Sequence, residues 1–398
     1  MDIRDFVVNE KDAALIWCSI TEGQDTTAVQ LIKQSGSYMQ ALEMLLGYID
    51  NESLNDEENK QENNILLEHV SHKITTSVKR WIHRLNVPYL SDIRTNMERY
   101  HLDFICWHDD IWPEKLNRLG DEMPLGLWIK GNKKLLEKSA VSIVGSRDCS
   151  EYGKRITADF SYELSQKGHV IVSGGAHGID TYAHSYAFSK TQALTIVVFA
   201  GGLGKYYPAK NTTMFDKILR SGGLFVSESP PLSPPLKHRF LSRNRIISAL
   251  SDVTVVVEAP FRSGAISTGH HTLSIGGMLA VIPGSIFSPH SSGCHRLLRD
   301  GGVCVTSVSD VEELLPEHTL FDVDSRKDAR FTQNVQSVFD MLPEIEKRVY
   351  DCLSPTYHRS LVDVAQRGGM EPEEVWRSLS NLMGKGLVQH ERGEWILV

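Results

Sequence analysis

Glycine-rich loops that follow short apolar runs are the part of this sequence that could do chemistry. Gly145-Ser146-Arg147 follows the first run, and a second loop, residues 174–180, reads GGAHGID. Small residues let a ligand approach the backbone closely, and free N–H groups at a helix N-terminus favour an anion such as phosphate. One such loop is usually only a turn, but several at one edge indicate a ligand that carries phosphate. Further loops of this kind lie at residues 201–204, 262–264 with Thr268, and 283–285.

These loops need a scaffold that brings them to one edge, and the sequence supplies one. Apolar runs such as residues 195–199 (TIVVF) and 253–257 (VTVVV) lack polar alternation, which is typical of parallel strands buried on both faces. Amphipathic helical stretches alternate with these runs. The alternation predicts an α/β fold: an extended Rossmann-like, doubly wound and mainly parallel sheet whose ligands bind beyond the carboxyl ends of the strands.

Motifs of several common cofactor sites are missing from the sequence. Neither GxGxxG nor GxxxxGK[ST] occurs between a predicted strand and a helix, so we exclude a classical dinucleotide site and a P-loop. None of the six cysteines belongs to a CxxC pair, which argues against a zinc site or a redox motif. We therefore predict no cofactor and no metal.

A basic segment, residues 237–245 (KHRFLSRNR), precedes and opens a predicted helix. Cations such as Arg243 and Arg245 at a helix N-terminus oppose the helix dipole unless an anion or a carboxylate lies beside them. A chain of phosphates meets this condition, and a basic track along a backbone is typical of single-strand binding. The aromatic residues that could stack on bases there, or simply pack, are Phe240, Tyr206 and Tyr207.

Composition alone does not indicate nucleic-acid binding. The 398 residues carry a net charge of −8, but net charge reports solubility and bulk attraction rather than the chemistry of one groove. The N-terminus lacks a basic segment followed by an apolar one, so we expect no signal peptide. No apolar run approaches the roughly 18 residues that a membrane span needs. We therefore expect a cytoplasmic protein without a membrane partner.

Changes in hydrophobic periodicity and composition along the chain predict four regions. Residues 1–102 have helical spacing and are predicted to form an accessory domain, and residues 103–320, with the alternating α/β pattern, are predicted to form the DNA-binding domain. A polar, charged stretch at residues 321–341 is predicted to be a linker. Residues 342–398 contain three helical stretches and a β-hairpin, which is typical of a winged helix.

The motifs of residues 141–315 together resemble those of the DNA-processing protein A (DprA/Smf) family. The matching segments are IVGSR, SGGAHGID, SESPP, RNRIISALS, VVVEA, RSGAIST and VIPGS. The resemblance implies an extended Rossmann fold, a homodimer, and binding of single-stranded DNA without strong sequence preference. It also implies that the protein helps load the RecA recombinase during natural transformation and that it is not an enzyme. Residues 1–102 are similar to the family's SAM-like or helix-hairpin-helix module, and residues 342–398 to its winged helix.

The resemblance also implies which residues bind the DNA. Two positions depart from the family pattern: His177 stands where the family usually has Arg or Lys, and Gly204 stands where it usually has Asp. A histidine binds phosphate as a cation only when it is protonated. The expected DNA-binding residues are Ser146, Arg147, Gly174, Gly175, His177, Arg239, Arg243, Asn244, Arg245, Ser263, Gly264 and Thr268.

Two other functions fit parts of the sequence. Related Rossmann-like folds bind nucleotides or cleave nucleoside monophosphates, and Glu258 closes a predicted strand (VVVEA) where a catalytic carboxylate could lie. No paired acid and base accompanies it. The winged helix could instead bind duplex DNA, but its predicted recognition helix, residues 372–384, opens with Glu373 and Glu374 and has only Arg377 early on. We therefore interpret this region as a protein-interaction module.

Overall fold

The computed structural model describes residues 3–54, 72–189, 192–316, 342–354, 358–391 and 393–397. The chain divides into two compact units, Met1–Thr319 and Leu320–Val398. The linker predicted at residues 321–341 lies outside the described residues. Within the described ranges, no helix is both long and apolar enough to cross a membrane.

Helices open the first unit, and side-chain caps start several of them. In the described part of residues 1–102 they are α1 (Glu10–Ile20), α2 (Thr26–Ser35), α3 (Tyr38–Leu54), α4 (His72–Ile82) and α5 (Val87–Tyr100). The side chains of Asn9, Asp25 and Asn86 each accept a backbone N–H from the first turn of α1, α2 and α5. These caps satisfy N–H groups that would otherwise lack an intrahelical partner.

The N-terminal helices share one core with the sheet that follows them. Trp17 of α1 and Trp81 of α4 are buried and meet edge to face, with ring centroids 5.1 Å apart. Phe104 and Trp128, from the first two strands of the sheet, belong to the same apolar cluster. Residue 102, predicted as a domain boundary, therefore lies within one compact unit that has a continuous core.

A nine-stranded, mostly parallel sheet forms the centre of the first unit. Its strands are β1 (Asp103–Cys106), β2 (Gly126–Gly131), β3 (Ala140–Val144), β4 (Val170–Ser173), β7 (Thr195–Phe199), β8 (Leu224–Ser227), β9 (Val253–Val256), β10 (Met278–Val281) and β11 (Val303–Cys304), while β5 (Phe188–Ser189) and β6 (Gln192–Ala193) pair separately. The order is β1-β2-β8-β7-β4-β3-β9-β10-β11, and only the β1–β2 and β2–β8 pairs are antiparallel. The predicted α/β fold with a mainly parallel sheet is therefore confirmed.

Helices cover both faces of this sheet because successive strand residues point to opposite sides. The helices are α6 (Glu151–Gln166), α7 (Ile179–Tyr186), α8 (Thr212–Arg220), α9 (Lys237–Leu250), α10 (Gly264–Ser274), α11 (Ser292–Arg299) and α12 (Val308–Glu312). Val141 and Ile143 of β3 share a core cluster with α6 and α7. Ala140 and Val144 of the same strand share another cluster with α9, α10 and α11.

The second unit is small and has its own core. It contains α13 (Glu344–Asp351), α14 (Leu361–Gly368), α15 (Pro372–Gly384) and an antiparallel sheet of β12 (Arg359–Ser360), β14 (Glu394–Leu397) and β13 (Val388–Glu391), in that order. Val364, Leu379 and Trp395 are buried at its centre. The sequence predicts the three helices and the β13–β14 hairpin, whereas the short strand β12 is an addition.

Candidate nucleic-acid interface

A cleft opens at the carboxyl edge of the sheet, beside the neighbouring strands β3 and β9. The chain leaves β3 towards β4 on one side and leaves β9 towards β10 on the other, so the loops after these strands diverge. Open α/β sheets bind ligands at such a point. The cleft has a volume of about 760 Å³ and is lined mainly by the loops after β3 and β9, by the first half of α9 and by the start of α10.

Arg243 is a buried cation that lines this cleft. Only 6% of the residue is exposed, and its Nη1 donates to the carbonyl oxygen of Val198 at 2.7 Å. Its buried Nε has no hydrogen-bond partner in the described part of the chain. Burial lowers the pKa of Arg243 to about 10, although the nearby Asp180 opposes this shift, so the side chain stays cationic at neutral pH. Because buried charges are normally paired, a cation with incomplete hydrogen bonding beside a cleft favours an anion there.

Arg147 and two aromatic side chains form the exposed side of the cleft. The guanidinium carbon of Arg147 lies 5.2 Å from the centroid of the Phe240 ring. The Phe240 and Tyr207 rings meet edge to face with centroids 5.8 Å apart, and Tyr207 is 51% exposed. Exposed aromatic faces beside a cation can accept both a base and its phosphate.

Seven of the twelve predicted DNA-binding residues line the cleft. The side chain of Ser263 accepts the N–H of Ala265 and so caps α10, while Asn244 Nδ2 donates to the carbonyl of Gly264 at 3.3 Å. The bond from Asn244 joins α9 to the start of α10. The seven residues are Ser146, Arg147, Arg243, Asn244, Ser263, Gly264 and Thr268.

Three further predicted residues lie in the loop after β4, outside the lining of this cleft. Gly174 packs against Arg243, because a Cβ at this position would overlap the guanidinium group. Gly175 has a φ of +68° and packs against Val197 and Phe215, so its role is to shape the loop. His177 is exposed on the same loop.

Arg239 and Arg245 bind carboxylates of this chain. Arg239 donates to Glu22 through Nε at 2.9 Å and Nη2 at 2.7 Å, and Arg245 donates to Glu228 at 3.0 and 2.5 Å. The sequence predicts that Arg243 and Arg245 lie at a helix N-terminus. In the structure α9 begins at Lys237, so both arginines lie in the middle of the helix. Positions two apart on a helix are separated by about 200° around its axis, which explains why these two arginines face different surroundings.

The departure at Gly204 has a local explanation. Its N–H donates to the carbonyl of Pro231 at 2.7 Å. A Cβ at this position would lie 2.8 Å from Leu232 Cδ2 and 2.9 Å from Pro231 O. The aspartate of the family pattern would therefore require the segment at residues 231–232 to shift.

Glu258, the candidate catalytic carboxylate, caps a helix. The residue is 3% exposed, and its carboxylate accepts the N–H of Ser150 at 2.9 Å and the hydroxyl of the same residue. Ser150 in turn accepts the N–H of Gly153 at the start of α6. Buried carboxylates at a helix N-terminus stabilise the helix. This geometry gives no support to a nucleotide-cleaving site at Glu258.

The cleft also contains six residues outside the expected DNA-binding set, and the sequence analysis names two of them, Phe240 and Tyr207, as side chains that could stack on bases. Four of them lie in segments that the sequence singles out, namely the basic segment and two of the loops, so a signal for them was present. Asp180 ends the singled-out loop at residues 174–180, whereas Asp148 carries no such signal and is notable only because it lies beside Arg147 in the cleft. The six residues are Lys237, Phe240, Tyr207, Arg262, Asp148 and Asp180. In the described ranges, no group of three or more His, Cys, Asp or Glu could hold a metal ion.

Comparisons with known proteins identify the family of this chain. The family model described as DNA recombination-mediator protein A matches residues 103–316. A putative DNA processing protein DprA from Mycobacterium tuberculosis (strain H37Rv) is 35% identical over 274 residues, which are 68% of this chain and 68% of the relative.

Two solved structures are also similar. DNA processing protein A from Streptococcus pneumoniae has 30% sequence identity and a TM-score of 0.58, and the match covers 78% of this chain and 98% of that chain. A structure of DNA processing protein A from Helicobacter pylori, described by its single-stranded DNA binding mode, has 31% identity and a TM-score of 0.48, covering 53% of this chain and 95% of that chain. The family match and the identity to the mycobacterial relative show that this chain belongs to the DNA recombination-mediator protein A (DprA/Smf) family of DNA-processing proteins.

Proposed function

We propose that this chain binds the sugar-phosphate backbone of single-stranded DNA in the cleft beside β3 and β9. The observation that carries the proposal is the buried, partly unpaired guanidinium of Arg243 next to the exposed guanidinium of Arg147. Four cations line the cleft (Arg147, Lys237, Arg243 and Arg262), against two carboxylates (Asp148 and Asp180). The cleft is therefore locally positive although the whole chain has a net charge of −8.

The aromatic residues of the cleft support binding without strong sequence preference. Phe240 and Tyr207 expose ring surface beside Arg147. Every base has a π-face, so stacking on such rings tolerates any sequence. A phosphate held by Arg147 and Arg243 would fix the register of the strand, and phosphate contacts carry no sequence information directly.

Salt titration tests this proposal. A labelled oligodeoxythymidine should bind with an affinity that falls steeply with salt, and Arg147→Ala should flatten the slope of log K against log salt by about 0.7, the value for one lost contact to a single strand. Arg155→Ala is the matched control, because Arg155 lies on α6 with 87% of its side chain exposed and does not line the cleft. Equal slopes for the wild type and Arg147→Ala would reject the assignment.

The family also suggests a role after DNA binding. We propose that the bound strand is passed to the RecA recombinase in natural transformation and recombination, and that the chain has no catalytic activity of its own. Its membership of a family of DNA recombination mediators supports this role. Filament formation by RecA on single-stranded DNA should be faster in the presence of the wild type than with Arg147→Ala.

The open edge of the large sheet supports a homodimer. The edge strand β11 pairs only with β10 in the described sheet, and both of its residues, Val303 and Cys304, are exposed together with Met278 of β10. Exposed edge strands pair readily with another chain. We propose that a second copy covers this edge. Light scattering should report a dimer for the wild type and a monomer for Val303→Asp.

The N-terminal helices and the C-terminal unit precede and follow the region that contains the cleft. We infer that residues 1–102 form a SAM-like module and that residues 342–398 form a winged helix that contacts protein rather than duplex DNA. On α15, Glu373 and Glu374 are exposed in the first turn beside Trp376, which is 52% exposed. Carboxylates there would repel phosphates. Arg377→Ala in the full chain should leave binding of duplex DNA unchanged.

A further inference from the structure

Glu22 connects the N-terminal helices to the helix that carries the cleft. It lies in the turn between α1 and α2, and Arg239 of α9 donates two hydrogen bonds to its carboxylate, at 2.9 and 2.7 Å. Arg84, between α4 and α5, donates to the same carboxylate at 2.6 Å. The Nε2 of His238 lies 3.5 Å from it. One carboxylate therefore joins three parts of the first unit that are distant in sequence.

The first turn of α9 needs a negative charge from elsewhere. Leu236 occupies its N-cap and offers no side-chain acceptor, and no acidic residue lies in the first turn. Lys237, His238 and Arg239 instead place basic side chains at the positive end of the helix dipole, which is unfavourable without a nearby anion. Glu22 supplies that anion. Burial alone would raise the pKa of Glu22, but hydrogen bonds from Arg239 and Arg84 lower it to about 2, so the carboxylate stays ionised.

Arg239 also contacts the segment that enters α9 beside the cleft. Besides Glu22, it donates through Nη1 to the carbonyl of Pro234 at 2.9 Å. The next residue, Pro235, lines the cleft, as do Lys237 and Phe240 of the first turn. Fixing Arg239 thus fixes both the segment that enters α9 and the turn that presents a cation and an aromatic ring.

We propose that Glu22 is a positioning residue for DNA binding, which holds the first turn of α9 through Arg239 so that Lys237 and Phe240 are ordered before DNA arrives. The inference rests on the proposed function of the cleft and assigns the N-terminal helices a part in it. If only a fraction of molecules has this turn ordered, the apparent Kd rises by the inverse of that fraction.

The sign of the effect separates positioning from simple electrostatics. Removing a carboxylate from the neighbourhood of a polyanion should strengthen binding if charge alone matters. Loss of the contact to Arg239 should weaken binding if the carboxylate orders the first turn. Glu22→Gln tests both, because it removes the charge and keeps the size of the side chain.

The experiment measures binding of a labelled oligodeoxythymidine to the full chain by fluorescence anisotropy. We expect the Kd of Glu22→Gln to be about fivefold higher than that of the wild type, since a helix-terminal charge and its hydrogen bonds contribute on this scale. Hydrogen exchange at the amides of Phe240 and Leu241 should be faster in this variant. Glu10→Gln is the matched control: Glu10 accepts N–H groups of Tyr38 and Met39 within the N-terminal helices and should leave the Kd unchanged.

A double-mutant cycle decides the role of Arg239. If Arg239 acts through Glu22, the variants Glu22→Gln, Arg239→Ala and the double variant should all bind about fivefold more weakly than the wild type, without further loss in the double variant. If Arg239 contacts DNA directly, the losses multiply, and the positioning role is overturned. An unchanged or lower Kd for Glu22→Gln, or an equal loss for Glu10→Gln, would overturn it as well. Failure of the wild type to bind would instead reject the proposed function.

Discussion

The guanidinium of Arg243 lies directly against Gly174, with no room for a Cβ between the loop after β4 and helix α9. Arg243 also donates to the carbonyl of Val198 in β7. The absence of a side chain at residue 174 is therefore what allows a cation to be buried beside the cleft. This relationship gives Gly174 a role in shaping the cleft, because its lack of a side chain makes room for Arg243.

Gly174→Ala should displace Arg243 and weaken binding of single-stranded DNA. Overpacking of this kind typically lowers the free energy of unfolding by about 1–3 kcal/mol, which denaturant unfolding measures. Gly47→Ala, on α3, is the control, because Gly47 does not line the cleft and a Cβ there would meet no atom within 4 Å. Wild-type stability and affinity in Gly174→Ala would contradict the packing that we describe.

Phe240→Leu should weaken binding through the loss of an aromatic face. Leucine keeps apolar volume, whereas stacking of one base on an aromatic ring contributes about 1–3 kcal/mol. Titration with an oligonucleotide that carries abasic positions should show no difference between the wild type and the variant. Tyr162→Leu, on the exposed surface of α6, is the matched control and should bind like the wild type. An equal loss with the abasic strand would show that Phe240 does not stack on bases.

The stability that Glu22 contributes should depend on pH. In the folded chain, hydrogen bonds from Arg239 and Arg84 outweigh burial and lower its pKa from 4.5 to about 2. A depressed pKa stabilises the folded state above the unfolded value, and this contribution is lost as pH falls through the folded value. The difference in unfolding free energy between the wild type and Glu22→Gln should therefore be full near pH 6 and shrink between pH 4.5 and about 2.

Urea unfolding at several pH values measures this difference. Glu43→Gln is a suitable control, because Glu43 is 63% exposed and its ion pair with Arg4 spans 3.7 Å. Exposed pairs of this kind contribute little to stability. A difference between the wild type and Glu22→Gln that grows as the pH is lowered would contradict the role of the ionised carboxylate.

Glu258→Ala should destabilise the fold without revealing a catalytic role. The variant leaves the N–H and the hydroxyl of Ser150 without their carboxylate partner. A buried donor left unpaired costs about 1–3 kcal/mol, which chemical denaturation should detect. Glu151→Ala, one residue after Ser150 with 89% of the side chain exposed, should change stability little. Release of a base from nucleoside monophosphates by the wild type but not by Glu258→Ala would revive the enzyme hypothesis.

Much of the scaffold follows from local sequence patterns. Runs such as residues 253–257 without polar alternation predict buried parallel strands, and the loops after them must then meet at one edge of the sheet. That reasoning brings Ser146, Arg147 and Ser263 to one cleft, where the structure places them. The family motifs depend on the same loops, so the family too could be identified from sequence.

The roles of individual arginines in the basic segment could not be read from the sequence. Arg239, Arg243 and Arg245 are the same residue type in one short segment, and each could bind phosphate. Which of them faces the cleft depends on where α9 begins, since a shift of two residues turns a side chain by about 200°. It depends also on carboxylates that only the folded chain brings near, and Glu22 is 217 residues from Arg239.

The sequence by itself therefore determined the α/β fold class, the family and the edge of the sheet at which the candidate cleft lies, because these depend on periodicity and on short motifs. Tertiary structure alone decided that Arg243 lines the cleft while Arg239 and Arg245 are held by Glu22 and Glu228. The physical reason is that an arginine is available to a ligand only when no closer carboxylate takes its hydrogen bonds, and that competition is settled by contacts between distant segments.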